Sequence, residues 1–256
     1  MGNAVIHKDM SVISSNSLFH FTYSKENLIS ILENDFYPNY CLERVFLNSE
    51  EPFIDFAIPM ISFCDLSLSQ IKKHINIYGN YGIGLKKEWG IANKINPVLY
   101  ISPDSILADS LYNMSALVKM ISEEDSEITE SYLNLVRYLK PYEGNFRKNN
   151  DLYKKFRFYD EKEWRFVPPS SNHEFDYILP RDEFKYKQIR DLRNQILRKI
   201  RLKFQPKDIK YLIVKDESEI SWIIQELKRI KNKYPIATIE ILTSRIITSE
   251  QIADDF

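Results

Sequence analysis

The sequence predicts an α+β fold, a mixed, twisted β-sheet with a helical insertion in one domain spanning residues 1–256. Three observations predict it. Runs such as SLFHFT and KDIKYLIV are too brief for helices, are apolar or alternating, and end at turn residues. Helical periodicity returns between such runs, most clearly in SEISWIIQELKRIKNKY. Residues 103–142 then carry helical spacing almost throughout, which reads as an insertion between strands.

The first seventeen residues are polar and read as a loose lead-in. In SLFHFT, strand alternation puts Leu18, His20 and Thr22 on one side and Phe19 and Phe21 on the other. Ser24 is an N-cap for the helix KENLISILEN, with Leu28, Ile29, Ile31 and Leu32 as its apolar stripe. Residues 35–59 hold Pro38, Pro52 and Pro59 and read as a long ordered loop, a length that is usually functional. Ile61–Phe63 reads as a short buried strand and LSLSQIKKHINIY as a turn and helix with Leu68, Ile71 and Ile75 on one face.

Four of the six glycines, Gly79, Gly82, Gly84 and Gly90, cluster around the repeat Tyr78-Gly79, Tyr81-Gly82 and the strand GIGL. Glycine inside a strand suits a close approach by another group, a ligand among them; the plainer alternative is a tight helix-to-strand turn with both tyrosines packed. The glycines enter a strand rather than open a helix, so they are no dinucleotide fingerprint, and no G-x-x-x-x-G-K-[ST] phosphate loop occurs.

NPVLYI reads as a strand broken by Pro103, followed by helices over Ser105–Met120 and SYLNLVRYLKPY. Next, Arg147, Lys148, Lys154, Lys155 and Arg157 interleave with Phe146, Tyr153, Phe156, Phe158 and Tyr159, a pattern that suits either a stacked nucleic-acid strand or a solvated strand-loop-strand edge. Residues 181–203 read as a charged helix with Ile189, Leu192, Ile196 and Ile200 approximating one apolar face. KDIKYLIV, the amphipathic helix and ATIEILTS complete a strand-helix-strand unit over about 207–244.

With 35 Lys plus Arg against 36 Asp plus Glu the net charge is −1, so no global field draws the chain to nucleic acid or anionic lipid. Cys41 and Cys64 make no disulfide scaffold, and no Cys-x-x-Cys or His-Glu-x-x-His spacing offers a metal site. The chain shows neither a signal-type start nor an apolar run of membrane-spanning length, which predicts a cytoplasmic protein without a membrane partner.

Candidate chemistry gathers at His20 with Thr22, at Ser62, at Tyr78 with Tyr81, and at Glu161 with Glu163. If DEKEWRF is a strand, both glutamates and Arg165 share a face, and two carboxylates so placed repel, so that one titrates high while the other stays ionised. A Glu-Arg salt bridge on a surface strand and a buried, hydrogen-bonded histidine are the plainer readings.

The blocks LFHFT, PMISFCDLSLS, HINIYGNYGIGLKKEW, NPVLY and EKEWRFVP resemble the signature blocks of the AbiGi family of abortive phage-infection proteins, over about residues 18–101 and 150–168. The resemblance implies the antitoxin half of an abortive-infection pair. The order of a His-x-Thr strand, a tyrosine before glycine and a late glutamate is also similar to the His-Tyr-Glu layout of ADP-ribosyltransferase folds, the DNA-modifying DarT toxins included. This second resemblance implies NAD as substrate. It implies His20 and Thr22 on the nicotinamide ribose or adjoining phosphate, Tyr81 or Tyr78 stacked on nicotinamide, and Ser62 supporting the ribose or Glu163. Glu163 would be the catalytic carboxylate, with Glu161 orienting the acceptor or taking its place, and Arg165 beside them. The expected function is therefore NAD-dependent ADP-ribosyl transfer in phage defence with nucleic acid as acceptor. The alternative is a non-catalytic antitoxin or regulator that binds a toxin, and an RNA-processing phosphotransferase or nuclease is a third reading.

Overall fold

The computed structural model describes residues 15–48, 52–121, 126–148, 151–169 and 175–255, so most of the expected lead-in, residues 1–14, lies outside the described residues. In chain order the elements are β1 (Ser17–Thr22), α1 (Lys25–Asn34), β2 (Asn39–Phe46), β3 (Pro52–Cys64), α2 (Lys72–Tyr78), β4 (Tyr81–Lys86), α3 (Lys87–Ala92), β5 (Asn96–Pro97) and β6 (Leu99–Ile101). Then follow α4 (Ile106–Ile121), α5 (Ser126–Val136), β7 (Leu139–Pro141), β8 (Glu143–Lys148), β9 (Asp151–Arg157), β10 (Glu163–Phe166), β11 (Leu179–Pro180), α6 (Arg181–Lys185) and α7 (Lys187–Leu197). The chain ends in β12 (Ile209–Val214), α8 (Ile220–Ile230), α9 (Ile236–Thr243), β13 (Ile246–Thr248) and α10 (Ser249–Asp255).

The architecture is mixed α+β. One sheet runs β13-β12-β4-β1-β3-β10-β5, with β2 and β11 also paired to β3. β12 and β13 are parallel, and the other pairings in this sheet are antiparallel. The strand alternation read in SLFHFT is what builds the layers. Leu18 joins the core under α1, α3, α8 and α9, with Leu28, Trp89, Ile223 and Leu242, while Phe19 and Phe21 face the opposite core with Ile71, Ile75 and Ile252. Ser24 caps α1 by accepting from the Asn27 backbone N–H at 3.2 Å.

Several expectations are corrected. Within the expected loop of residues 35–59, the stretches 39–46 and 52–59 belong instead to the paired strands β2 and β3, whose register runs from Asn39↔Met60 to Phe46↔Pro52. The prolines misled because each sits where a strand tolerates one. Pro52 opens β3, and Pro59 stands between the end of β11 pairing at Ala57 and the start of β10 pairing at Ile61. ATIEILTS is not a strand but α9: Pro235 precedes its first turn, and Ile239 and Leu242 are buried at helical spacing. Its β-branched residues signalled a strand that tertiary packing overrides. The strand comes just after it, as β13. NPVLYI splits into β5 and β6, because Leu99 leaves the main sheet to pair with Leu139 of β7. DEKEWRF is a strand only from Glu163; Glu161 ends a 3-10 turn, and Lys162 takes a left-handed φ of 44° that interrupts the extended backbone.

The glycine cluster is explained from within the chain. Gly79 has φ 112°, and a Cβ there would lie 2.3 Å from the Thr22 carbonyl oxygen, so only glycine makes this turn. Gly82 and Gly84 leave room for the rings of Phe21 and Phe19, not for a ligand against the sheet.

Candidate functional site

β1 and β3 share the single registered pair Phe19↔Cys64, and beyond it the two strands part. His20 spans the gap: its Nδ1 donates to the Ser62 carbonyl at 2.8 Å, which leaves Nε2 as the lone-pair nitrogen of a neutral ring. Burial lowers its pKa below 6.5 against the opposing pull of that hydrogen bond. Its ring packs against Phe36 and Phe63 at centroid distances of 5.2 and 5.8 Å.

A cavity of about 780 Å³ occupies this divergence, within the size class of small-molecule sites. His20, Thr22, Ser62, Tyr78, Glu161 and Glu163 all line it. The hairpin β8–β9 covers one side. Its aromatic residues do not splay toward solvent but pack on one another, with Phe146 5.4 Å from Phe156 and 5.8 Å from Phe158, and Phe146 and Phe158 reach the cavity wall. Lys154, Lys155 and Arg157 on the same hairpin face outward.

Two predicted residues stand elsewhere. Tyr81 packs in the core beneath α1 and α8 and donates to Glu219 at 3.0 Å; burial and that carboxylate push its phenol up to about 12. Arg165 is fully buried behind Glu163, outside the cavity wall. Register explains its position, because Arg165 faces Ser62 and Glu163 faces Cys64, so Ser62, Glu163 and Arg165 share one side of the sheet.

Arg165 organises a buried ion network. Its Nε donates to Glu163 Oε1 at 2.7 Å, one terminal nitrogen to Glu43 Oε1 at 2.8 Å, and the other to the Arg137 carbonyl at 2.9 Å. Lys140 lies 3.1 Å from Glu163 Oε2 and 3.5 Å from Glu43 Oε1, and Ser62 Oγ donates to Glu163 Oε1 at 2.9 Å. Burial alone would raise the Glu163 carboxyl, but Arg165 and then Lys140 outweigh it and hold the group well below the usual carboxylate range. Lys140 shows the converse: burial opposes its charge, and Glu163 and Glu43 overcome it, raising its pKa.

Glu161 is the counterpart. Burial raises its pKa, Lys140 opposes this, and the neighbouring Glu163 charge adds to the rise. The Tyr78 hydroxyl donates to Glu161 Oε1, and the Tyr78 ring lies against His74, with centroids 4.3 Å apart and planes tilted by 32°. Two acids, one held ionised and one pushed toward its neutral form, thus share one wall, an asymmetry suited to acid-base work or to recognising hydroxyl groups.

The sign of the Glu161 shift gives a pH prediction. A carboxyl raised above its usual 4.5 in the folded state contributes stability that is complete below 4.5 and lost as pH rises through the folded pKa. Relative to Glu161→Gln, the native chain should therefore lose stability as pH climbs above 4.5, as read by urea unfolding across a pH series. A difference that stays constant with pH would refute this.

Glu43 and Lys140 escaped sequence reasoning. Glu43 sat in the supposed loop and Lys140 at a presumed helix end, and nothing local to either marks a partner about a hundred residues away.

The sequence profile of the AbiGi family, described as abortive phage resistance protein AbiGi, antitoxin, matches residues 34–215. The chain is similar to a curated protein of Lactococcus lactis subsp. cremoris named "Abortive phage resistance protein AbiGi", 28% identical over 252 residues that cover 86% of this chain and 99% of that protein. No solved structure matches.

Proposed function

Because the chain belongs to the AbiGi family of abortive phage resistance proteins, we propose that it acts in abortive infection by binding, as the neutralising partner of a toxin. The observation that carries this reading is the outward face of α4, where Ile106, Leu117 and Met120 are 87%, 61% and 79% exposed and Met114 lies beside them. Apolar side chains grouped on one exposed helix face are the usual mark of a protein contact surface. The family's description as an antitoxin supports it, and so does the pairing of Glu163 with Arg165 and Lys140, which engages that carboxylate within the protein itself. Co-expression with the product of the neighbouring gene, as the candidate toxin, tests the reading. Co-elution as one complex and restored growth are expected. A toxin equally active with and without the chain, and no shared elution, would overturn it.

A second reading has its own observation, the gathering of six candidate residues around one cavity. Here NAD is the substrate of ADP-ribosyl transfer. Ionised Glu163, oriented by Ser62, would stabilise positive charge on the anomeric carbon as nicotinamide leaves. Tyr78 takes the stacking role, since Tyr81 lies in the core, and Glu161 in its neutral form would orient the acceptor. Release of nicotinamide should fall at least about 100-fold in Glu163→Gln and remain unchanged in Tyr81→Phe. No release from the native chain with any acceptor would remove this reading while leaving toxin binding standing.

A further inference from the structure

The segment from α7 to Lys203 has seven basic residues against one acidic, Asp191, in a chain whose net charge is −1. Its distal part is exposed at Arg198, Lys199, Arg201 and Lys203. Arg198 and Arg201 both hold their guanidinium carbons over the Tyr37 ring, at 4.9 and 5.5 Å. Among the described residues neither arginine forms an ion pair. Two like charges held around one ring without an ion-pair partner concentrate positive potential, and the planar guanidinium fork matches the paired oxygens of a phosphate. Tyr37 and Arg198 also line the cavity, so this basic ridge is continuous with its aromatic wall at Phe36 and Phe63.

We propose that this ridge binds single-stranded nucleic acid, with phosphates on Arg198 and Arg201 and an unpaired base entering the cavity past Tyr37. A polyanion fits because the positive charges follow one another along an exposed segment, and a single strand fits because only an unpaired base offers a free face to aromatic side chains. The ridge is separate from the α4 face, so the inference is independent of toxin binding.

Fluorescence anisotropy of the full chain with labelled oligo-dT and oligo-U of about 16 nucleotides, from about 50 to 200 mM salt, tests it. The double variant Arg198→Ala, Arg201→Ala should weaken binding at least about tenfold and reduce the salt slope by about 2. Tyr37→Leu should weaken binding several-fold with the slope unchanged, and Lys228→Ala, on α8, should have no effect. No binding at the lowest salt, a double variant that binds like the native chain, or a duplex of the same length bound more tightly would each overturn the proposal. Loss of toxin co-elution in the ridge variant with oligonucleotide binding intact would assign the ridge to an acidic protein instead, and would overturn it too.

Discussion

Arg165→Met is expected to destabilise the chain by about 3–5 kcal/mol, a large fraction of the stability of an ordinary domain. The guanidinium is completely buried, and its donors serve two carboxylates and the carbonyl oxygen of Arg137. Without it, Glu163 and Glu43 face Lys140 alone, which leaves one negative charge uncompensated in a place that already pushes Glu161 toward neutrality. A lysine does not substitute, because a single ammonium cannot reproduce the three directions the guanidinium fork uses. The shift in urea midpoint measures the effect. A loss under about 1 kcal/mol would mean that the network contributes no more than an exposed ion pair. The double variant Glu43→Gln, Arg165→Met, which keeps the Glu163–Lys140 pair, should recover much of the loss, since the large cost lies in orphaning a buried charge rather than in lacking the network.

The same network marks the boundary of what the sequence disclosed. β1, α1, β4, β12 and α8 were legible because each carries its period within a few residues: Phe19 and Phe21 alternate with Leu18 and His20, and Ile223 and Leu227 of α8 recur at helical spacing. The pairing of β3 was not legible, because whether Pro59 interrupts a strand depends on which neighbours end beside it, and those are β11 and β10 from far along the chain. For the site, residue type and local alternation were enough to nominate His20, Ser62, Tyr78, Glu161 and Glu163, all of which line the cavity. They were not enough to show that Glu161 leaves the strand at left-handed Lys162, or that Arg165 turns inward to Glu43. Depth and charge partners are properties of the assembled sheet. That is also why two carboxylates spaced alike in sequence, on either side of Lys162, titrate in opposite directions.

The double variant Leu117→Glu, Met120→Glu should weaken toxin binding at least about 100-fold while leaving the fold nearly untouched. The two effects separate because both side chains already face solvent at 61% and 79% exposure, so neither substitution empties a core or buries a charge in the free chain. Glutamate is a good helix former, so α4 itself should persist, with a stability change within about 0.5 kcal/mol. In a complex, however, these positions would lie at the centre of a dry contact, where two introduced carboxylates would be desolvated without partners. Ala108 and Leu111 on the inward face of the same helix are buried and supply the contrast. Leu111→Ala should cost about 2–5 kcal/mol of stability and reduce binding only through the population that remains folded. Titration calorimetry of each variant against the toxin, beside its own urea curve, distinguishes the two. Unchanged affinity in the double glutamate variant would move the contact away from α4, whereas a parallel loss of affinity and stability would show that the face is structural.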